Sequence, residues 1–551
     1  MKKILLLAGI SAIGASSFAA GVAEPLRFDD TFFQNVSANG KYAVSCLSDS
    51  RVDIFNLETG KQYTYTYSEE TPAAYYIGIG QCLSNNGILV GGTSSEIAEY
   101  WKDGEWHLLD VPGAASYINS ANAITPDGSR ICGMLGIGGD AYYSDVLMTV
   151  PCIWNAEGDG YSMAVELPHP EVDFAGRVPQ YIKAIDISGD GKTVVGMVTD
   201  ATGRFSYPIL YKENEEGNWS YEIPNEDLLV PDGLTFPENP GDFTDNYPMP
   251  ESYMTSDELA AYREAYNAYA ESGYSTEEPQ ATDYMSANEI ESYEKALGDY
   301  WTAYQEYSEK FDEYMRVYDM ISEYAPSYQD NSVRISNDGL TFGCTLQKGG
   351  GPWSMTPMTY HVWVFDIESN NIIKYDSRDD LCLSYLANNG IAVASTPISS
   401  FFNTVPSQSF ILKDGEVTGM YDWMNTKVPE NASWMKQNMV FSYESYDPET
   451  GDMVVVEELM TGHATSTPDL SIMALSVQNI GFPVDEDAYE DPDFAPAIGF
   501  GYIFDLKEGT GVNSVGSVSE EKTIYDLSGR KLKNANAPGI YIINGKKKVI
   551  R

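Results

Sequence analysis

The side chains that most often carry chemistry are few in this 551-residue sequence. Its four histidines are His107, His169, His361 and His463, and none belongs to an HExxH arrangement. The sequence contains no G-x-S-x-G nucleophile elbow, P-loop or dinucleotide-binding glycine pattern. Each histidine is therefore interpreted as structural rather than catalytic, and no catalytic residue is assigned.

The six cysteines show neither a CxxC pair nor a Cys–His metal spacing. Cys46, Cys132 and Cys344 follow similar turn sequences by four to six residues, so they occupy similar strand positions in different repeats. Pairing among those three is not expected. Cys132 and Cys152 lie in one repeat and are the alternative for a disulfide in an oxidising compartment. Buried free thiols are the favoured interpretation.

Carboxylates are abundant, with 81 Asp and Glu against 33 Lys and Arg. Two of them at a suitable separation could serve a glycosidase, but the sequence does not select a pair. The densest run offers four oxygen ligands for Ca²⁺, which are Asp485, Asp487, Asp491 and Asp493. This run lacks the spacing and the glycine of an EF-hand, so a solvated loop is favoured. No cofactor or metal is predicted, and Ca²⁺ is the alternative.

The formal net charge of −48 restricts the classes of partner. Nucleic acids and anionic lipids are bound through Lys and Arg, so neither is expected as a partner. The acidity favours solubility outside the cell. An extracellular glycan or protein is the expected ligand.

Aromatic side chains gather in the long segments between predicted strands. Trp353 follows a run of three glycines, Phe401 and Phe402 are adjacent, and His361 precedes a strand core. Rings in such loops can stack against sugars or peptides. We therefore predict Trp353, Phe401, Phe402 and His361 as ligand-binding residues.

A recurring turn sequence indicates the elements that would position these residues. In each copy an apolar residue and a small polar residue precede Asn-Gly or Asp-Gly. This is the strongest short signal for a β-hairpin, because both turn residues need positive φ. The copies end at Gly40, Gly87, Gly128, Gly191, Gly339 and Gly390, and a seventh, Ser466–Leu470, lacks the glycine.

The spacing of these turns predicts a β-propeller. Successive turn glycines lie 47, 41, 63, 148 and 51 residues apart, and each copy has room for the strands of one blade. We predict an all-β, seven-bladed β-propeller with an inserted α-helical hairpin and a small C-terminal β-hairpin module. The predicted divisions are a signal peptide at 1–19, blades one to four at 20–224, the insertion at 225–332, blades five to seven at 333–510, and a linker with a C-terminal segment at 511–551.

The repeats resemble the HAF-type repeats of extracellular bacterial proteins. The best copy is Ala184-Ile-Asp-Ile-Ser-Gly-Asp-Gly-Lys-Thr-Val-Val-Gly196, in which an Ile-x-x-Asp-Gly-x-x-Val-Gly pattern precedes an apolar-aromatic strand. The resemblance implies an extracellular repeat protein and no common activity.

The insertion predicts two helices, because Thr255-Ser-Asp-Glu258 and Ser286-Ala-Asn-Glu289 are capping boxes. After the second box, aromatic residues recur at steps of four and three, as in a coiled-coil seam. Packing of this seam on the propeller is favoured. The alternative is a partner-binding or oligomerisation surface, formed by Tyr293, Tyr300, Tyr304, Tyr307, Tyr314 and Tyr318.

Both ends of the chain predict export. Lys2 and Lys3, an apolar stretch and Ser17-Phe-Ala19 follow the pattern of a signal peptide. The ending, Tyr525-Asp-Leu-Ser-Gly-Arg530 with Pro538-Gly-Ile-Tyr-Ile-Ile-Asn-Gly-Lys-Lys-Lys-Val-Ile-Arg551, resembles the C-terminal sorting domain of the type IX (Por) secretion system of Bacteroidetes. The resemblance implies recognition by outer-membrane secretion machinery, then release or surface attachment. The periplasm is the fallback location, and a plain edge hairpin is the alternative for the tail.

The sequence thus favours a surface or secreted binding module for a glycan or protein ligand, without enzymatic activity. The first alternative is an extracellular polysaccharide hydrolase or lyase with its site at the propeller mouth. The second is an assembly protein that oligomerises through the helical hairpin.

Overall fold

The computed structural model covers most of the chain. The described residues are 24–48, 51–66, 76–92, 97–113, 115–137, 148–173, 178–200, 206–224, 240–241, 243–275, 277–324, 327–328, 332–348, 358–397, 407–446, 453–479, 498–506, 524–526, 531–532, 539–543 and 546–550.

The described residues are mainly β-strands, with few helices. The strands are β1 (Leu26–Asp29), β2 (Phe33–Val36), β3 (Tyr42–Ser48), β4 (Arg51–Asn56), β5 (Lys61–Thr66), β6 (Tyr76–Ile77), β7 (Leu89–Gly92), β8 (Glu99–Lys102), β9 (Glu105–Leu108), β10 (Ala115–Ile124), β11 (Arg130–Ile137), β12 (Met148–Glu157), β13 (Gly160–Tyr161), β14 (Val165–Glu166), β15 (Tyr181–Ile187), β16 (Thr193–Thr199), β17 (Ser206–Glu213), β18 (Trp219–Glu222), β19 (Ser327–Tyr328), β20 (Arg334–Ile335), β21 (Thr341–Lys348), β22 (Thr359–Asp366), β23 (Ile372–Tyr375), β24 (Cys382–Leu386), β25 (Ala392–Ser395), β26 (Ser409–Lys413), β27 (Glu416–Gly419), β28 (Val440–Tyr446), β29 (Met453–Leu459), β30 (His463–Ser466), β31 (Ile472–Asn479), β32 (Ile498–Asp505), β33 (Ile524–Asp526), β34 (Lys531–Leu532), β35 (Gly539–Ile543) and β36 (Lys546–Ile550). The helices are α1 (Ser256–Glu271), α2 (Ala287–Tyr324), α3 (Met420–Lys427) and α4 (Pro429–Asn438).

The turn sequences join the first and second strands of repeated antiparallel sheets. In the first sheet, β2, β3, β4 and β5 are neighbours in chain order. The sheets β6–β9 and β24–β27 repeat this order, and β20–β23 does so with β19 added beside β21. Two further units share one sheet, because Thr149 in β12 forms a parallel bridge to Tyr181 in β15. The prediction of a mainly β, repeated architecture is confirmed.

The last repeated sheet is completed by the opposite end of the chain. β30, β31 and β32 follow one another, and β1 pairs antiparallel with β32, from Leu26 opposite Ile503 to Asp29 opposite Phe500. Because β1 directly precedes β2, this pairing joins the first repeat to the last. It also covers one edge of the last sheet.

Side-chain hydrogen bonds explain how the turn sequence folds in the copies with Ser or Thr after the apolar residue. The sixth copy differs, because it has Ala387 at that position and its Asn389 adopts a φ of +60°. Ser188 Oγ donates to Asp190 Oδ1 at 2.7 Å and accepts from Thr193 N at 3.0 Å, while Gly191 supplies a φ of +72°. In the copy without glycine, an equivalent hydroxyl-to-carboxylate bond forms at 2.7 Å and Leu470 adopts a φ of +58°. The prediction that each phrase is a turn is confirmed for these copies. The expectation of positive φ at both turn residues is wrong for them, because Asp190 and Asp469 do not have positive φ.

Successive turns also bond to one another, and we call the set of linked turns the turn ring. Its hydrogen bonds join Asn39 N to Asn85 Oδ1 (2.7 Å), Asn85 N to Pro126 O (2.7 Å), Arg130 Nη1 to Gly191 O (2.9 Å), Gly189 N to Asn337 O (2.8 Å), Asp338 N to Asn388 Oδ1 (3.0 Å) and Asn388 N to Pro468 O (2.9 Å). The last turn meets the first through a close approach, since a Cβ at Gly40 would lie 2.6 Å from Ile472 Cγ1.

The apolar core lies between neighbouring sheets. One continuous cluster contains Ile54 of β4, Leu89 of β7 and Trp154 of β12, which belong to three successive sheets. All six cysteines are free thiols, four of them buried, so Cys132 and Cys152 do not form a disulfide. The favoured interpretation of buried free thiols is confirmed for four cysteines, whereas the thiols of Cys46 and Cys382 are half-buried.

An unpredicted insertion lies between β27 and β30. It consists of α3, α4 and the two-stranded sheet β28–β29. Methionine fills irregular gaps because its side chain is unbranched and flexible. The buried methionines of this region, which pack with Met473 of β31, are Met420, Met424, Met435, Met439 and Met460.

The C-terminal strands form a separate four-stranded sheet in the order β34, β33, β35, β36. Ile543 of β35 is opposite Lys546 of β36, which agrees with the predicted hairpin, although its turn residues Asn544 and Gly545 lie outside the described residues. The sheet adds β33 and β34 to the predicted hairpin.

A second compact unit, the helical unit, comprises Pro170–Pro179 and Asn225–Pro326. Its sequence is internally duplicated at an offset of 31 residues, because Tyr253-Met-Thr-Ser-Asp-Glu-Leu259 matches Tyr284-Met-Ser-Ala-Asn-Glu-Ile290. In each copy a 3-10 turn precedes the helix. The capping box of α1 is complete, and Ser286 N donates to Glu289 Oε2 at 2.8 Å in the second copy.

The two copies pack reciprocally on each other. Tyr262 of α1 contacts Tyr284 with ring centroids 5.7 Å apart, and the equivalent Tyr293 of α2 contacts Tyr253 at 5.8 Å. At Tyr293, the aromatic seam of α2 is therefore covered by the turn that precedes α1 and not by α1 itself. The helices start beside each other and do not pair along their length as the expected hairpin would.

We predict that Gly40→Ala destabilises the protein by about 2–4 kcal/mol. The new methyl group would have to adopt positive φ and would overlap Ile472 where the last turn meets the first. Gly158→Ala is the matched control, because Gly158 also has positive φ but has nothing within 4 Å of the added atom. It should cost about 1 kcal/mol. Equal losses in denaturant unfolding would contradict the close turn contact.

Candidate functional site

A buried carboxylate connects three of the repeated sheets. Asp186 is only 2% exposed, and its Oδ1 accepts from Gln81 N at 2.9 Å and from Ile187 N at 3.1 Å. Its Oδ2 accepts from Ile335 N at 3.0 Å. The donors lie before β7, at the end of β15 and at the end of β20. One side chain therefore links the backbones of three repeats and sets how closely they lie to one another.

Arg334 is the charged partner of Asp186. The two residues interact electrostatically, and Arg334 Nη1 donates to Val333 O at 2.8 Å. Burial raises the pKa of Asp186, while Arg334 and the three backbone N–H groups oppose that rise. A buried carboxylate is costly unless it is compensated. Asp186 accepts three backbone hydrogen bonds and lies near the positive charge of Arg334, although no direct ion pair joins the two described side chains.

Amide side chains extend this network, which we call the Asp186 cluster. Gln81 Nε2 donates to Asn35 Oδ1 at 2.8 Å and to the carbonyl oxygens of Val36 and Leu83, both at 3.0 Å. Asn35 Nδ2 in turn donates to Gly80 O at 3.3 Å. The polar groups here bind one another across sheet boundaries.

The cavity at the Asp186 cluster is small. Its free volume is ≈ 20 Å³, which is room for about one water molecule. Asp186 is the single carboxylate among its described lining residues, whereas a glycosidase needs two. The cavity therefore cannot accommodate a sugar ring. Its polar lining residues are Asn35, Gln81, Asp186, Arg334, Asn337 and Tyr385.

His463 lies near Arg334 at the start of β30. Its ring stacks on Phe32 with centroids 5.5 Å apart. Burial, assisted by the positive charge of Arg334, lowers the pKa of His463 to about 4. Burial raises the pKa of the nearby Cys82 thiol to about 12, so this cysteine is a protonated, unreactive group.

The predicted ligand-binding residue His361 is in the core of β22 and is 6% exposed. Its Nε2 lies 3.1 Å from Thr359 Oγ1, and its two ring nitrogens lie 3.8 Å from carboxylate oxygens of Asp376 and Asp379. A ligand could reach it only by displacing its neighbours. The other predicted ligand-binding residues, Trp353, Phe401 and Phe402, lie outside the described residues.

The predicted partner-binding tyrosines of α2 differ in exposure. Tyr314 is fully buried, Tyr304 is exposed, and Tyr293, Tyr300 and Tyr307 are half-buried. The side chain of Tyr318 lies outside the described residues. Of the five tyrosines whose side chains the structure describes, four are buried or half-buried and Tyr304 is exposed.

The Ca²⁺ alternative at Asp485, Asp487, Asp491 and Asp493 lies outside the described residues. Within the part of the chain that the structure describes, no group of three or more His, Cys, Asp or Glu side chains could hold a metal ion. Among the helices described, none is sufficiently long and apolar to cross a membrane.

The Asp186 cluster was not predicted from the sequence. The available signal was a polar residue directly before the apolar residue of the turn phrase. Asn35, Asp186 and Arg334 all occupy this position, five residues before the turn glycine. Comparing the copies at this single position would have identified the three residues together.

No protein-family model matches this sequence, and no curated protein matches it. Solved structures show weak similarity. Oligogalacturonate lyase from Vibrio parahaemolyticus is 9% identical, covering 89% of this chain and 99% of its own, with a TM-score of 0.40. The β-propeller domain of Cps50 (Swd1) from Myceliophteria thermophila is 8% identical, covering 88% and 99%, with a TM-score of 0.35. TolB from Acinetobacter baumannii is 11% identical, covering 71% and 62%, with a TM-score of 0.29. Similarity at this level carries no argument about chemistry.

We predict that Asp186→Asn lowers the free energy of unfolding by about 2–4 kcal/mol. The new NH₂ group would face a backbone N–H, and Arg334 would lose its counter-charge. Asp190→Asn is the control, since other turns carry Asn at that position, and it should cost under about 0.5 kcal/mol. Adding Arg334→Met should recover part of the loss in a double-mutant cycle. An effect no larger than the control's would show that Asp186 is not a charged anchor.

We also predict a pH-dependent contribution from His463. With a folded pKa of about 4 against an ordinary 6.5, the unfolded chain takes up the proton first. The stability due to the neutral imidazole is therefore present above pH 6.5 and is lost as the pH falls towards 4, by at most about 3 kcal/mol. Between pH 7 and 4, wild type should lose more thermal stability than His463→Gln. Parallel pH profiles would contradict the assignment.

Proposed function

We propose that the protein is an exported, seven-bladed β-propeller that acts as a surface or secreted interaction module for a glycan or protein ligand. The blade count is supported by the repeated antiparallel sheets, by the turn ring and by the pairing of β1 with β32. The turns supply one contact between each pair of successive sheets, as a closed set of blades requires.

The observation that carries the functional proposal is the Asp186 cluster. Its carboxylate accepts hydrogen bonds from backbone N–H groups, and its side-chain amides bond to each other and to backbone carbonyls. The cavity has room for about one water molecule. These groups stabilise the scaffold and leave no space for a substrate. Ligand contact is therefore proposed on surfaces that depart from the repeat, which include the helical unit and the long segments around Trp353 and Phe401.

Export is proposed on the N-terminal signal-peptide pattern and on the C-terminal resemblance to a type IX sorting domain. The segment 520–551 carries eight Lys or Arg and three acids in an otherwise acidic chain, so it differs in kind from the repeats. We propose that outer-membrane secretion machinery recognises this segment, and that the mature protein is secreted or held at the outer-membrane surface.

The test is retention of the mature full-length protein on an array of extracellular glycans and proteins. We expect at least one ligand, bound equally by wild type and by Tyr385→Phe, which removes one hydroxyl group from a residue that lines the cavity at the Asp186 cluster. Loss of binding in Tyr385→Phe would place the site in that cluster instead. A blank array, or release of sugars from an arrayed polysaccharide, would contradict the binding module.

A further inference from the structure

The helical unit carries three exposed aromatic rings that are adjacent to one another. Tyr247 is 46% exposed, Trp301 is 51% exposed and Tyr304 is 42% exposed. The Trp301 ring lies 6.2 Å from Tyr247 and 5.8 Å from Tyr304, measured between centroids. We call these three residues the aromatic patch. Contiguous exposed aromatic surface of this kind marks interaction sites more often than single exposed rings do.

The rings of the patch are held in place from beneath. Tyr300 stacks on Tyr304 at 6.3 Å and lies 5.2 Å from Tyr247. Phe243 packs on Tyr300 at 5.4 Å and on Tyr304 at 5.3 Å. A rigid aromatic surface loses little conformational entropy when a ligand binds.

The internal duplication shows that the patch is not needed for the shared fold of the two copies. At the offset of 31 residues, Trp301 corresponds to Ala270 and Tyr304 corresponds to Gly273. Tyr247 corresponds to Glu278. By contrast, the tyrosines that make the reciprocal packing are the same in both copies. The patch therefore combines Tyr247 of the first copy with Trp301 and Tyr304 of the second, and none of the three has an aromatic equivalent in the other copy.

The surroundings of the patch are strongly acidic. Residues 240–326 contain 20 Asp and Glu against four Lys and Arg. Two of the four bases are paired within α2, Lys295 with Asp299 at 2.6 Å and Arg316 with Glu313 at 2.7 Å. The exposed carboxylates close to the patch in sequence are Asp245, Glu294, Asp299, Glu306 and Glu309, of which Asp299 is paired with Lys295.

Aromatic faces surrounded by carboxylates are complementary to Lys and Arg side chains. The π faces of Trp and Tyr attract cations, and carboxylates pair with guanidinium or ammonium groups. A neutral glycan could stack on the rings but would gain nothing from the excess of acids, and an acidic polysaccharide would be repelled. The charge therefore selects a cationic partner.

We propose that the aromatic patch and its acidic border are the docking surface for a Lys- and Arg-rich segment of a partner protein. The assignment rests on the proposed function as an interaction module and names the chemistry of the partner. Arg or Lys side chains of that segment stack on Trp301 and Tyr304, and neighbouring carboxylates neutralise the remaining charge.

The test measures binding of a labelled peptide that alternates Arg and Gly to the mature full-length protein, by fluorescence anisotropy. Trp301→Ala combined with Tyr304→Ala removes the rings without changing charge, and it should weaken binding roughly tenfold. Tyr266→Ala is the matched control, since Tyr266 is a 39% exposed tyrosine on α1 outside the patch, and it should leave affinity unchanged. Circular dichroism and thermal midpoints establish that all variants are folded.

Equal peptide affinity in wild type and the double variant would overturn the proposal, because attraction would then come from net charge alone. So would the absence of peptide binding, or binding of a neutral oligosaccharide that depends on Trp301 and Tyr304. A blank ligand array would contradict the proposed function as an interaction module. Peptide binding that does not depend on the aromatic patch would contradict only the proposal that the patch is the docking surface.

Discussion

The hydrogen bonds between successive turns are the constraint on which the rest of the fold depends. Each turn must hold its own hairpin and also bond to the turn of the next sheet, as Asn85 does by accepting from Asn39 and donating to Pro126. The backbone at these positions has almost no freedom, because neighbouring units approach to contact distance at several turn glycines. This explains why the turn sequence is kept while the lengths of the strands and outer loops vary.

Closure adds a second requirement that local turn chemistry cannot satisfy. The first and last repeats are far apart in sequence, and they meet through β1 on β32 and through Gly40 against Ile472. Asp186 strengthens the same arrangement from inside, because its carboxylate binds backbone amides from three units. The cost of burying that charge is offset by hydrogen bonds, which are directional and form only at one spacing of the sheets.

The sequence predicted those features of the fold that depend on residues close together along the chain. The turns, the mainly β architecture, the capping boxes and the free thiols follow from residue types at short spacing. The Asp186 cluster depends on residues as far apart as Gln81, Asp186 and Ile335, which only the closed fold brings together. The insertion containing α3 and α4 was missed because its short, polar helices lack a long apolar period. The helical hairpin was expected because an aromatic seam along α2 indicates that another element packs on it. The sequence pattern does not identify which element that is.

The duplicated helical unit shows how a scaffold and a binding surface can be separated within one sequence. Tyr262 and Tyr293 are equivalent and make equivalent contacts, so their identity is required by packing. Trp301 and Tyr304 have no aromatic equivalents in the first copy, and they remain exposed despite the cost of leaving large rings in water. A residue that packing does not require, and that hydration disfavours, needs another reason to be there. The same reasoning applies to the repeated sheets, where Asp186 belongs to the scaffold because all of its bonds are internal.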